Sequence, residues 1–225
     1  MNDELEMAER FFGFGRWDAP YWFIGPEPGG SNNDIRARVW KDQFGKGDLL
    51  DCKAFHDALV GAMREKGIDP KSIDKVKKLV RESPKPALQP TWRRLILLLK
   101  ANRDENYDLA IYQRDFWGHA DAKTRETCVI ELLGLPAKGL MKRNEEEDHK
   151  RERANRIRGK ILENGPEFVV MYGRSEENYW KLIAGPDLPR DKVVKLGPTK
   201  FIFLPHPNDF GRTDKEWITW GENLQ

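Results

Sequence analysis

Cysteine is almost absent from this chain of 225 residues, which contains only Cys52 and Cys128. Two isolated thiols exclude a disulfide framework and a four-thiolate iron–sulfur cluster. The sequence also lacks any run of about 18 apolar residues that could span a membrane. Residues 1–16 lack the apolar core of a signal peptide. We therefore expect a cytoplasmic protein that does not associate with membranes.

Metal-binding and phosphate-binding motifs are missing as well. No His, Cys or Asp residues follow metal-ligand spacing, and no G-x-x-x-x-G-K-[ST] loop is present. We therefore expect neither a metal nor an organic cofactor. The formal net charge is only +2, while 34% of the residues are charged and 39% are hydrophobic. These values are typical of one ionised enzyme domain, here residues 1–225, and we expect it to be a monomer.

Short apolar runs alternate with segments of helical periodicity. This alternation predicts an α/β fold with right-handed crossovers and a mostly parallel sheet covered on both faces. Helices are expected at 51–66, 73–80 and 90–101, with a proline-rich break at 83–86. Four strands are expected at 21–25, 127–133, 168–172 and 200–204.

The segment 21–30 is an apolar strand that stops at Gly25 and delivers Glu27 between two prolines. Ligands of parallel sheets bind beyond the carboxyl ends of the strands, where Glu27 falls. Each proline stiffens the backbone, and Gly29 and Gly30 allow a ligand to approach closely. The alternative is an acidic turn after an ordinary strand.

The segment 200–212 repeats this design with a histidine. An apolar strand ends before Pro205, and His206 is enclosed by that proline and Pro207. A single histidine is more often structural than catalytic. Its position at the same predicted edge as Glu27 favours a functional role.

Together these motifs resemble the two active-site motifs of the uracil-DNA glycosylase superfamily. The residues concerned are Gly-Pro-Glu-Pro-Gly at 25–29 and His-Pro-Asn at 206–208. Between them, the strand at 168–172 and the Gly-Arg-Ser turn at 173–175 are similar to the third strand and following turn of that family. Glu27 replaces the usual Asp or Asn, and Asn208 replaces Ser. The resemblance implies a three-layer α/β/α sandwich around a four-stranded sheet, and a monofunctional DNA glycosylase for base-excision repair.

The resemblance assigns roles to particular residues. Such enzymes act on a nucleotide flipped out of DNA. Glu27 would position or deprotonate the water that attacks the sugar C1′, and His206 would stabilise the departing base through its carbonyl oxygen. Trp40 would stack on the base, unless it is a core residue. Gly25, Pro26 and Asn208 complete the implied base pocket.

The expected DNA contacts lie in three loops. Phe210 corresponds to the apolar wedge that fills the gap left by the flipped base, although it could instead pack against the domain. Arg174 and Ser175 suit a phosphate, with helix capping by Ser175 as the alternative. Gly29, Gly30 and Arg212 are further expected contacts with duplex or single-stranded DNA.

Glu131 is the only charged residue in the apolar run 127–136. An unpaired buried carboxylate is costly, so Glu131 needs a partner, and an ion pair with a neighbouring Arg or Lys is one reading. In the resembling family this strand carries the Asn that reads uracil. An ionised glutamate only accepts hydrogen bonds, so we expect uracil to be a poor substrate and a base with a donor-rich edge, or a larger lesion, to be preferred.

Basic residues concentrate at 71–94 and 142–160. They allow contact with phosphates, but helix pairs such as Glu146 with Lys150 also fit a solvated helix. Two other functions stay open from the sequence. One is a nucleic-acid or nucleotide-binding module with weak catalysis, and the other is a nucleosidase for small substrates.

Overall fold

A mixed but mostly parallel β-sheet forms the centre of the protein in the computed structural model, which describes residues 2–30, 32–80, 87–121, 125–136, 140 and 143–225. The strands are β1 (Gly13–Gly15), β2 (Tyr21–Gly25), β3 (Leu49–Leu50), β4 (Thr127–Glu131), β5 (Phe168–Tyr172), β6 (Val193–Leu196) and β7 (Thr199–Leu204). Their order in the sheet is β3-β1-β4-β2-β5-β7-β6.

The helices connect these strands and surround the sheet. They are α1 (Asp3–Arg10), α2 (Asn33–Phe44), α3 (Cys52–Glu65), α4 (Pro70–Val80), α5 (Pro90–Arg103), α6 (Leu109–Asp115), α7 (Arg143–Asn164), α8 (Glu177–Ala184) and α9 (Asp214–Asn223). A short 3-10 helix, Arg174–Glu176, precedes α8. The helices expected at 51–66, 73–80 and 90–101 correspond to α3, α4 and α5. The predicted break at 83–86 lies outside the described residues.

The expected four-stranded sheet requires correction, because the described residues form seven strands. The four expected strands are β4, β2, β5 and β7, which are adjacent and parallel. The additional strands are β1 and β6, which pair antiparallel with β4 and β7, and β3, which pairs parallel with β1. These segments are two to four residues long, too short for periodicity to reveal.

Helices cover both faces of the sheet because side chains of a strand alternate between faces. Val169 and Met171 pack with residues of α7 and α8 in one apolar cluster. Phe168 and Val170 pack with residues of α5 and α9 in another. Strands buried on both sides read as continuous apolar runs, which is why these strands were recognisable in the sequence.

A third apolar cluster joins helices α1 to α4 beside β1 and β3. It includes Met7, Phe55 and Trp40, each fully buried. This cluster forms one wall of the space next to the carboxyl ends of β2 and β4. None of the helices in the described part of the chain combines the length and the apolar composition that a membrane span requires.

Candidate active site

The carboxyl ends of the four parallel strands bring polar side chains to one cavity of about 600 Å³. Glu27 follows β2, Glu131 ends β4, Tyr172 ends β5 and His206 follows β7. All four line the cavity, as do Pro26, Gly29, Gly30 and Asn208. This volume falls within the range of small-molecule sites. Glu27 and His206, which are far apart in the sequence, therefore share one site.

Backbone hydrogen bonds fix the segment that carries Glu27. The N–H groups of Leu132 and Leu133 donate to the carbonyl oxygens of Gly25 and Pro26 at 2.7 and 3.0 Å. A Cβ atom at Gly25 would overlap Glu131 Oε2 and the Tyr172 hydroxyl, so a larger residue there would have to displace these side chains. This segment carries Glu27, whose side chain is exposed to solvent.

His206 is held in one tautomer by its own loop. The backbone N–H of Asn208 donates to His206 Nδ1 at 3.1 Å, so the neutral ring carries its proton on Nε2. Burial lowers the pKa of His206, although nearby Asp209 opposes this effect. The Tyr172 ring packs edge-on against the imidazole, with centroids 5.6 Å apart. At neutral pH His206 is therefore an uncharged hydrogen-bond donor.

Helix α5 anchors the loop that follows β7. Arg94 donates to the carbonyl oxygens of Pro207 and, at 2.6 Å, of Arg212. The Asn208 side chain donates to Thr91 Oγ1 at 2.8 Å, and Arg93 forms an ion pair with Asp214. Arg94 and Thr91 therefore fix the backbone around His206, while Arg93 joins α5 to the first residue of α9.

Glu131 is the most perturbed carboxyl group of the cavity. Burial raises its pKa to about 8, while the Tyr172 hydroxyl, Arg36 and Arg153 lower it and Glu27 raises it. The hydroxyl of Tyr172 lies 3.4 Å from Oε1, and the enclosed Oε2 has no hydrogen-bond partner. Among the described residues no Lys or Arg forms an ion pair with this carboxylate. Glu131, which was expected from the sequence to be ionised, is therefore protonated at neutral pH.

A protonated Glu131 has different recognition chemistry from a carboxylate. It offers one O–H donor and one carbonyl acceptor, as an asparagine side chain offers an N–H and a carbonyl. The expected rejection of uracil rested on an acceptor-only side chain. That expectation therefore loses its physical basis at neutral pH.

Arg36 and His56 are two of the cavity residues that were not expected from the sequence. Arg36 of α2 is buried, donates from Nη1 to Gly29 O at 3.1 Å, and has no partner for Nε. His56 of α3 donates from Nδ1 to Cys52 O at 2.6 Å, and burial lowers its pKa to about 4. His56 lies on the apolar stripe of α3, so its burial could have been predicted from the sequence. No sequence pattern indicated that Arg36 would be buried.

Trp40 is not where the resemblance placed it. Its side chain is fully buried in the cluster of α1 to α4, and its indole N–H donates to Gly47 O at 2.7 Å. It does not line the cavity, which corrects the proposed stacking role in favour of the core alternative. Trp92, which is partly buried, is the tryptophan that lines the cavity.

The expected DNA-contact residues lie at different places. Arg174 pairs with Asp191 at 3.0 Å, and Ser175 is exposed in the 3-10 helix, where the described structure shows no side-chain cap for α8. Neither lines the cavity. Arg212 pairs with Glu216 at 3.0 Å. Phe210 is fully exposed, which contradicts the alternative that it packs against the domain.

Most basic side chains of α7 are used within the protein. Lys150 pairs with Glu146 at 2.8 Å, which confirms the predicted helix pair, and Lys160 pairs with Glu163 at 2.8 Å. Arg153 is buried and donates to four backbone carbonyl groups, including Leu132 O at 2.6 Å. In the two basic segments 71–94 and 142–160, three basic residues lie outside the described residues: Arg81, Lys85 and Lys142.

Comparison with protein-family models found no match, and comparison with curated proteins found none. The site must therefore be interpreted from its own geometry and chemistry.

Proposed function

We propose that this protein hydrolyses the N-glycosidic bond of a damaged or deaminated base flipped out of DNA, using a fold of the uracil-DNA glycosylase type. The proposal rests on one observation. Glu27 and His206 each follow a strand that ends next to a proline, and both side chains line one cavity. An acid and a neutral donor at one site can act on the two sides of the scissile bond.

Glu27 supplies the negative charge in this reaction. Its carboxylate positions the attacking water and stabilises the positive charge that develops on the sugar. His206 donates its Nε2 proton in a hydrogen bond to the departing base. Because burial keeps the imidazole neutral, this donation does not require acidic pH.

The exposed ring of Phe210 supports DNA as the substrate. Its ring is fully exposed, and it lies only four residues after His206, beside the cavity that would hold the flipped base. A wedge at this place enters the stack next to the flipped nucleotide. The exposure of Glu27 also weighs against a binding module in which the acid is occluded.

One observation favours a second function. The arginines near the loop that carries His206 form contacts within the protein; they are Arg93, Arg94 and Arg212. Fewer arginines are then available for phosphates. A nucleosidase acting on a small substrate fits this arrangement.

Single-turnover excision assays over a panel of damaged bases test the proposal. Glu27→Gln and His206→Ala should each lower excision about 100-fold or more without loss of folding. The matched controls are Glu65→Gln and His149→Ala, which lie away from the cavity. Undiminished activity in the double variant of Glu27 and His206 contradicts the mechanism. Activity on free nucleosides alone establishes the nucleosidase.

A further inference from the structure

Arg36 and Glu131 form an unusual pair in the cavity. Both line it, and the charge of each influences the pKa of the other, yet no salt bridge joins them. Each also retains one buried atom without a hydrogen-bond partner, Nε of Arg36 and Oε2 of Glu131. Leaving such groups unsatisfied costs folding free energy. Polar groups kept unpaired in one cavity indicate a ligand that satisfies them.

The surroundings of Arg36 keep its guanidinium in place. Its neighbours Ile35 and Ala37 are buried, and Nη1 is held by Gly29 O. Gly30 has φ of +125°, and a Cβ atom there would lie 3.1 Å from Nη1. The nearby His56 is neutral at pH 7, because burial lowers its pKa to about 4. Arg36 is therefore a positioned cation beside an uncharged imidazole.

The chemistry of arginine restricts what can lie against it. A guanidinium has only donors, so the ligand atom that faces it must be an acceptor. The carbonyl of a keto base satisfies this requirement, whereas the exocyclic amino group that an amino base carries at the same position brings donor against donor. Glu131 in its protonated form complements a neighbouring N–H and carbonyl. Together they match a lactam edge, –NH–C(=O)–, on a planar ring.

The other walls of the cavity suit a planar ligand. Phe11, Phe12, Phe14, Trp92 and Tyr172 all contribute to the lining. Aromatic walls favour flat aromatic rings through stacking and edge contacts. A nucleobase fits both the walls and the polar pair.

We propose that Arg36 is a specificity-determining residue that admits keto bases, such as hypoxanthine and uracil, and rejects the amino bases adenine and cytosine. This inference rests on the proposed function for its substrate class. It gives the protein a means to separate a deaminated base from its undamaged parent, since deamination replaces an amino group by a carbonyl. Discrimination by such hydrogen bonds should change the dissociation constant at least about tenfold between a keto base and the corresponding amino base.

The test measures binding and cleavage separately. Ligand-observed NMR titrations of the full chain with free hypoxanthine, adenine, uracil and cytosine give dissociation constants that need no bond cleavage. Excision of the same four bases from matched DNA strands gives the chemistry. We expect the wild type to favour hypoxanthine over adenine, and uracil over cytosine, by at least about tenfold in binding.

The variant Arg36→Gln should reduce both ratios about tenfold, because an amide can also accept from an amino group. Arg38→Gln, at an exposed position of the same helix, is the control and should leave them unchanged. Thermal unfolding of each variant verifies that it is folded.

The outcomes separate the two proposals. Keto preference in binding without any excision supports the role of Arg36 and contradicts the glycosylase function. Excision of keto and amino bases at equal rates, together with equal binding, supports the glycosylase and overturns the role of Arg36. Ratios unchanged in a folded Arg36→Gln protein also overturn it, as does a wild type that binds none of the four bases.

Discussion

Replacement of Glu131 by glutamine should stabilise the protein increasingly as the pH rises. Burial raises the pKa of Glu131 from 4.5 to about 8 in the folded protein. The unfolded chain then releases its proton at lower pH than the folded chain does. Stability contributed by this residue is full below pH 4.5 and falls until the pH reaches about 8. Glutamine keeps the shape of the side chain but does not titrate.

The size of the effect follows from this pKa change. At about 1.36 kcal/mol per pH unit, the penalty of Glu131 grows to roughly 3 kcal/mol at pH 7 and roughly 5 kcal/mol above pH 8. The Tyr172 hydroxyl, Arg36 and Arg153 favour the charged form, Glu27 opposes it, and all four effects are already included in the folded pKa.

Urea unfolding at several pH values provides the measurement. The difference in the free energy of unfolding between Glu131→Gln and the wild type should be near zero at about pH 4.5 and should increase up to about pH 8. Glu65→Gln, at an exposed position, should show no such trend. A constant difference between pH 5 and 8 refutes the reasoning, because it requires an ordinary pKa for Glu131.

Three further substitutions test the geometry of the site, and a fourth serves as a control. Phe210→Ala should change the free energy of unfolding by no more than about 0.5 kcal/mol, because the ring is fully exposed. It should lower excision from duplex DNA more than from single-stranded DNA, and equal losses on both substrates contradict the role of Phe210 as a wedge. Gly25→Ala should destabilise by about 1–3 kcal/mol through overlap with Glu131, whereas Gly61→Ala, which has open space on α3, should stabilise by about 0.5–1 kcal/mol in urea unfolding. Arg94→Ala should lower the maximal excision rate about tenfold by releasing the loop of His206, and a rate equal to the wild type removes this positioning role.

The sequence revealed the parallel centre of the sheet because its strands are buried on both faces. Runs such as Phe168–Tyr172 consist of apolar residues only, and their ends carry glycine or proline. The short additional strands β1, β3 and β6 gave no such signal. Gly13–Gly15 is held by pairing with β4, and a Cβ atom at either glycine would overlap a backbone carbonyl oxygen of β4. Pairing of this kind depends on a distant segment, so local patterns do not report it.

The sequence by itself determined that Glu27 and His206 lie just after the ends of strands, because proline and glycine restrict or release the backbone conformation locally. Only the tertiary structure decided which other side chains join them. It brought Arg36 into the cavity from α2 and placed Trp40 in the core, although both are on the same helix. It also decided the protonation of Glu131, since a pKa depends on the solvent excluded and the charges nearby, which come from several distant segments of the chain.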